Sequence, residues 1–260
     1  MPADTPIKIG ISSCLLGENV RYDGRNKYDR YIVETLGQYV EFLPVCPETA
    51  IGLGTPRPPV RLLDRNGYIC AVGVDNPDID ITEALNGFGK KQAVVLNTVC
   101  GYIFKSRSPS CGLTDTPIST APRGTSGAGL YTRQVIEAIP LLPVTDEVSL
   151  KPGNSGNHFL ERVFAFSRWQ QLLESPLSAV RLQIFHALHT PELERHDTTL
   201  AEGLSEFLFS VEAPVSKGTA QAYLERFMRI LQMPAAMDMQ ADELFERHTH
   251  LSSALDHHAG

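Results

Sequence analysis

Cys14, Cys46 and Cys111 share a context that tells more than their spacing. Each ends a strand-like apolar run or sits in a tight turn of small residues, in Ile9-Gly10-Ile11-Ser12-Ser13-Cys14, Leu43-Pro44-Val45-Cys46-Pro47-Glu48 and Ser108-Pro109-Ser110-Cys111-Gly112. Turns of this kind can direct backbone N–H groups at thiolates and sulfides. Three thiolates meeting above neighbouring strand ends would hold three irons of a [4Fe-4S] cluster and leave the fourth iron open to substrate as a Lewis acid. A structural zinc takes four closed ligands, and the first 157 positions hold no histidine, which argues against mixed His/Cys zinc binding. The alternative is three buried or merely unpaired cysteines. Cys70, between Ile69 and Ala71, and Cys100 are read in that structural way.

Around the cysteines stand residues that can move protons or hold anions. Glu48, two residues past Cys46, suits a proton donor or a water-activating base beside an apolar, metal-bearing pocket. Ser108, three residues before Cys111, either orients substrate or passes a proton, or simply caps the turn before Pro109. Lys105 either anchors an anion or balances the charge of three thiolates. Arg57 and Arg61 project from the rigid Pro/Gly-rich stretch Ile51 to Arg61, facing an anionic or oxygen-rich ligand or only solvent. Arg21 and Tyr22 open a turn-rich loop that ends at Asn26. The expected substrate contacts are Arg21, Tyr22, Arg57 and Lys105.

The elements that must position these side chains follow from periodicity. Residues 7 to 12 alternate apolar with small or polar side chains and predict a first strand. A helix over 29 to 38 and a second strand over 40 to 45 follow. A hairpin over 60 to 74 turns at Asn66-Gly67, and an Asp80-capped helix runs to about Gly87. The Ala-Val-Val-Leu run predicts a buried third strand over Gln92 to Leu96. Gly124 to Gly129 lacks the lysine and spacing of a nucleotide-binding P-loop and reads as a glycine-rich entry into a helix over Leu130 to Ala138, with anion binding at that helix start as a secondary role. Ile139 to Val144 supplies a last strand, edge or irregular because of its prolines. Such alternation predicts an open, mostly parallel α/β sheet over residues 1–150, with ligands at the carboxyl ends of its strands.

Lys151 to Asn157 reads as a linker, and residues 158–260 as an all-helical second domain with helices over 158 to 174, 178 to 189, 198 to 209, 216 to 232 and 240 to 255. The chain of 260 residues can build its cores without disulfides, so its five cysteines are free for other work. With no basic, apolar leader and no run near the roughly 20 apolar residues that span a bilayer, a cytoplasmic protein without membrane contact is expected. The formal net charge is -7. Residues 1–151 carry 15 Lys and Arg against 16 Asp and Glu, and residues 152–260 carry 8 against 14. That acidity weighs against the second domain as a nucleic-acid clamp. His186 and His189 read as interior helix residues that can share one face and touch substrate, and His248, His250, His257 and His258 as a frayed end with adventitious metal affinity.

The blocks Ser12 to Gly17, Arg21 to Gly24, Pro44 to Glu48, Gly54 to Arg57 and Ser108 to Gly112 occur in an order that resembles the thiouracil desulfurase family, formerly a domain family of unknown function. The resemblance spans roughly residues 7–150. It implies a Rossmann-like domain with a [4Fe-4S] cluster on Cys14, Cys46 and Cys111, one iron site open, and Glu48 and Ser108 as catalytic residues. The implied activity is a non-redox desulfidase reaction that converts C=S of a thiolated uracil or uridine to C=O with release of sulfide. Residues 182 to 189 and 216 to 227 resemble the helical partner found fused to this domain in desulfidases acting on 4-thiouridine in transfer RNA. The expected partner is therefore tRNA or a thiolated pyrimidine base or nucleotide. The basic run of that helical partner is replaced here by Thr190 to His196, which counts against RNA. A non-catalytic iron–sulfur sensor and a metal-free interaction protein are the competing classes.

Overall fold

The computed structural model describes residues 6–119, 125–150, 154–211, 213–237 and 239–257. One compact unit spans Ile7–Pro152 and a second contains Gly153–Gly260.

The first unit is α/β and Rossmann-like. Strands β1 (Lys8–Ser12), β2 (Glu41–Val45), β5 (Gly101–Phe104) and β8 (Val144–Asp146) form a sheet in the order β2-β1-β5-β8, and every pairing is parallel. Ile9, Ile11, Tyr102 and Phe104 are fully buried on these strands, as a parallel sheet covered on both faces requires. Gly10 is obligatory there, because a Cβ would enter the Tyr102 ring. Around the sheet lie α1 (Arg30–Glu34), α2 (Pro47–Ala50), α3 (Thr82–Val95) and α4 (Leu130–Ala138). Asp29 accepts from Ile32 N–H at 3.1 Å and starts α1.

A second, mixed sheet has the order β4-β3-β6-β7, with β3 (Val60–Arg65), β4 (Tyr68–Gly73), β6 (Thr116–Ser119) and β7 (Ser126–Gly127). The expected hairpin is present. Asn66 and Gly67 turn it at φ 56° and 88°, the pair of positive angles that a two-residue turn matched to strand twist demands. Leu62, Ala71, Ile81, Leu85 and Leu130 form the core between this sheet and the helices.

Two expectations are corrected. Gln92 to Leu96 is not a strand but the end of α3 and the turn after it, and the third parallel strand is Gly101–Phe104. Leu85, Gly89 and Ala93 recur at helical spacing and are buried, so the run that reads as a buried strand is a half-buried helix face. Nor does α3 stop at Gly87. At Gly89 it approaches α4 so closely that a Cβ would lie 2.7 Å from Gln134 Cβ.

The second unit is all-helical: α5 (Asn154–Leu172), α6 (Ala179–His196), α7 (Thr198–Phe209), α8 (Lys217–Ile230) and α9 (Ala241–His257). Ser178, Asp197 and Ser216 cap α6, α7 and α8 by accepting from Arg181, Leu200 and Thr219 N–H. Trp169, Phe185, Tyr223 and Phe227 are the aromatic core, with Phe185 and Phe227 rings 5.3 Å apart. Helix α5 begins at Asn154, inside the stretch read as linker, and residues 151–153 lie outside the described residues, as do Gly124 and His258. Helix α6 continues seven residues past His189 despite Pro191. Glu192, Leu193 and His196 beyond the proline are buried, and that packing outweighs the lost backbone bond. His248 is not frayed either; it lies within α9, stacked on Phe164 at 5.0 Å. No helix among the described residues is long and apolar enough to cross a membrane.

Candidate active site

Parallel pairing of β1 with β2 and β5 brings three carboxyl ends side by side. Cys14 lies in the turn Ser13–Leu16 directly after β1, Cys46 directly after β2, and Cys111 at the end of the loop that follows β5. All three line one cavity of about 470 Å³. None is in a disulfide, and Cys14 and Cys111 are buried. Thr49 Oγ1 donates to Cys46 Sγ at 3.2 Å. Burial pushes the Cys14 thiol up to about 11, against the pull of Arg21 and Lys105. Burial also pushes Cys111 well above its ordinary value, opposed by a contact with Ser12 and reinforced by the nearby Cys14, Cys46 and Glu48.

Such thiols keep their protons until a metal displaces them. A donor set of sulfur alone suits a thiophilic metal. Among the described residues no three His, Cys, Asp or Glu converge as ligands of a single ion. A polynuclear centre needs no such convergence, since each thiolate takes its own iron. The three thiols of this cavity therefore fit an iron–sulfur cluster by donor type and number.

Glu48 stands in the first turn of α2 on the same cavity. Its Oε2 accepts from Arg57 Nε at 2.8 Å and pairs with Nη2 at 2.7 Å, and its Oε1 accepts from Ser110 Oγ at 2.8 Å. Three donor atoms from two separate loops thus fix the carboxylate. The rest of the Arg57 guanidinium is engaged as well, Nη1 by Gly54 O at 3.1 Å and Nη2 by Val20 O at 2.9 Å. Lys105 also lines the cavity, but its Nζ donates to Glu147 Oε1 at 2.5 Å and to Ser106 O and Oγ at 2.9 and 3.0 Å. Arg21 and Tyr22 are at the cavity too, the guanidinium 5.6 Å from the ring centroid.

Ser108 Oγ accepts from Cys111 N–H at 3.0 Å and Ser110 N–H at 3.3 Å, which folds the turn that carries the third thiol. The first N–H groups of α4 meet the same turn: Leu130 donates to Pro109 O at 3.0 Å and Tyr131 to Ser110 O at 3.1 Å. The helix start read as an anion site is thus occupied by the loop's own carbonyls. Gly112 and Gly129 permit this approach, since a Cβ on Gly112 would collide with Thr116 Oγ1 and one on Gly129 with the Ser110 carbonyl.

Residues 9–147 match the 2-thiouracil desulfurase family. The chain belongs to that family. Among solved structures, a [4Fe-4S]-dependent thiouracil desulfidase is 31% identical over 55% of this chain and 93% of its own, with a TM-score of 0.45. No curated protein matches the chain.

Four residues that line or brace this desulfurase-family cavity are not expected from the sequence. Ser110 holds Glu48. Ser12 Oγ accepts from Lys105 N–H at 2.9 Å and ties β1 to the loop after β5. Thr49 donates to Cys46. Glu147, just past β8, accepts from Lys105 Nζ, Ser106 N–H at 2.8 Å and Ser106 Oγ at 2.6 Å. Ser110 and Ser12 sit inside the cysteine blocks, one and two residues from Cys111 and Cys14, so their closeness to the thiols is local. Nothing local marks Glu147, whose partners lie 41 and 42 positions away. In the second unit His186 and His189 are interior: His186 Nε2 meets Ser205 Oγ at 2.8 Å, and His189 Nε2 accepts from Arg168 Nε at 2.7 Å.

Proposed function

We propose that the protein is a desulfidase that hydrolyses the C=S bond of a thiolated uracil ring to C=O, using Cys14, Cys46 and Cys111 as ligands of a [4Fe-4S] cluster. The observation that supports it best is the shared cavity: three thiols outside any disulfide, two of them buried and that of Cys46 half-buried, and a carboxylate pinned on both oxygens. When bound, a cluster held by three thiolates supplies a thiophilic Lewis acid through its fourth iron.

Glu48 takes the proton of the water that adds to the thiocarbonyl carbon. Arg57 and Ser110 hold that carboxylate in one orientation, so little reorganisation accompanies the transfer. The Ser108 hydroxyl accepts two N–H bonds, and its own proton has no acceptor among the described residues; it donates to the substrate. Tyr22, 44% exposed at the cavity, offers a face for the pyrimidine ring to stack on. Water and thiouracil give uracil and hydrogen sulfide, with no net change in oxidation state. The substrate is a base, a nucleotide or 4-thiouridine of tRNA, and the protein acts in the cytoplasm, where thiols stay reduced.

The test begins with anaerobic iron and acid-labile sulfide content, about four of each per chain for one cluster. Sulfide release is then followed with thiouracil, 4-thiouridine monophosphate and thiolated tRNA. Iron with release from any of these supports the reading, and the substrate that reacts identifies its class. Absence of iron after reconstitution, or iron with no release from all three, overturns it.

A further inference from the structure

Arg61 is the cation of this cavity whose donors the protein leaves most incompletely answered. Among the described residues six basic side chains line the cavity against one carboxylate, Glu48. Arg57 is engaged by Glu48, Gly54 and Val20, and Lys105 by Glu147 and Ser106. Arg107 lies 4.0 Å from Asp115, and Arg21, whose Nε is also buried without a hydrogen bond, still has the Asp23 carboxylate 3.5 Å away as an ion-pair partner. Lys27 is exposed and its ammonium is free to be hydrated. The guanidinium of Arg61 has no hydrogen bond or ion pair among the described residues, and its Nε is buried without an acceptor.

A buried N–H without an acceptor is rare and costly, and a charged one more so. The cost cannot be escaped by moving the chain, because Arg61 is fixed in the middle of the second sheet, opposite Val72 of β4. Strand alternation sends Leu62 into the apolar core and Arg61 to the other face. Such a donor, rigidly rooted and open to a cavity, is arranged to meet an acceptor that arrives with a ligand.

We infer that Arg61 is a substrate-contacting residue that donates from its guanidinium to an oxygen acceptor of the bound molecule and so selects which thiolated pyrimidine is held and which way round. The inference rests on the reading of this cavity as a pyrimidine site. The acceptor is an oxygen of the ring's remaining carbonyl or of a phosphate carried by the ribose; both offer Arg the same chemistry.

The experiment compares the full-length, anaerobically reconstituted wild type with Arg61→Lys and Arg61→Gln. It measures kcat and KM for thiouracil and 4-thiouridine monophosphate, and calorimetric binding of uracil and uridine monophosphate to the metal-free chain. Lysine keeps the charge but loses the planar fork. The expected result is a rise in KM of about tenfold or more in Arg61→Gln, with kcat nearly unchanged and the same loss in product binding. A rise for base and nucleotide alike assigns the ring carbonyl; a rise for the nucleotide alone assigns the phosphate. Recovery in Arg61→Lys keeps the contact and shows that charge suffices. Unchanged KM and unchanged product binding in Arg61→Gln overturn the inference. Product binding that depends on Arg61 in a wild type that releases no sulfide keeps the contact and overturns the desulfidase reading instead.

Discussion

Arg168 of the helical unit and Arg61 of the α/β unit differ in how their donors are answered, although Arg162 and Arg247 in the one unit and Arg21 in the other also keep a buried Nε without a hydrogen bond. In the helical unit Arg168, 2% exposed, has every arm answered: Nε donates to His189, Nη2 to Glu192 Oε2 at 3.0 Å, and Nη1 lies 3.4 Å from His248 Nδ1. In the α/β unit half-buried Arg61 has a buried Nε with no acceptor among the described residues. A buried charge whose partners are all internal contributes to one folded arrangement; one left unanswered at a cavity wall is set up for a ligand. The same distinction separates Arg57 from Arg61 within the cavity. Arg57 is engaged by Glu48 and, in the proposed reaction, serves the substrate through that carboxylate, whereas Arg61 is inferred to meet the substrate directly.

Changing the carboxylate at the open end has the largest expected effect. Glu48→Gln should keep its iron and lose about 10²–10⁴-fold in turnover; near-normal turnover with iron retained would remove Glu48 from the chemistry. Next is the closed network. Arg168→Met leaves the Glu192 charge buried without its main partner and should cost about 3–5 kcal/mol in urea unfolding, while Arg61→Gln should cost no more than about 1 kcal/mol. Equal losses at the two arginines would erase the contrast between them.

A smaller effect is expected where the cavity wall is tightest. Gly112→Ala puts a methyl against Thr116 and within 2.9 Å of Ser108 O, and such overpacking costs about 1–3 kcal/mol. Because that turn carries Cys111, iron content should fall with stability; a stable variant with full iron would show that the turn can yield.

The helical network also makes stability depend on pH. Burial, with Arg168 adding to it, pushes His189 well below its ordinary value and His248 down to about 3. Both stay neutral in the folded chain, while unfolded imidazoles take up protons near pH 6.5. Their contribution is therefore complete above about pH 6.5 and is lost as pH falls, at about 1.4 kcal/mol per pH unit for each until the folded value is reached. His196 runs the other way. Burial lowers it, but its bond to Glu161 outweighs that and raises it, so its contribution is present below pH 6.5 and lost as pH rises through the folded value. Unfolding midpoints measured from pH 7 to 5 should decline, and His248→Gln should flatten the decline. The smallest effect is expected at Cys70. It is 2% exposed on β4 and absent from the cavity lining, so Cys70→Ser should keep full iron content, and loss of iron would redraw the ligand set.

How far these features could be read from the chain depends on how local their cause is. The strand ends that carry Cys14 and Cys46 were legible, because Gly10-Ile11-Ser12 and Leu43-Pro44-Val45 announce both the strand and its stop. The third strand was misplaced because Ala93 to Leu96 and Gly101 to Phe104 are both short apolar runs, and periodicity alone cannot divide helix from strand at that length. The hairpin half of the second sheet is legible, but β6 and β7 are not, for a similar reason: β6 is four residues containing Pro117, and it forms a strand because β3 lies beside it. Among site residues, the side chains that face the cavity were legible by type. Their supports, Ser110 and Glu147, act across 62 and up to 42 positions and become visible only when the sheet brings their partners in.

Every described residue that lines the cavity falls between Ser12 and Ser119, and Glu147, which braces it, still precedes Asn154, where the helices begin. During synthesis the α/β unit is thus complete in sequence while the helices are still to be made. At about 5–20 residues per second the remaining chain takes roughly 5 to 20 s to emerge. For that interval the three thiols and Glu48 are already in the emerged chain, and under the proposed reading iron and sulfide compete with oxidants for those thiols from then on.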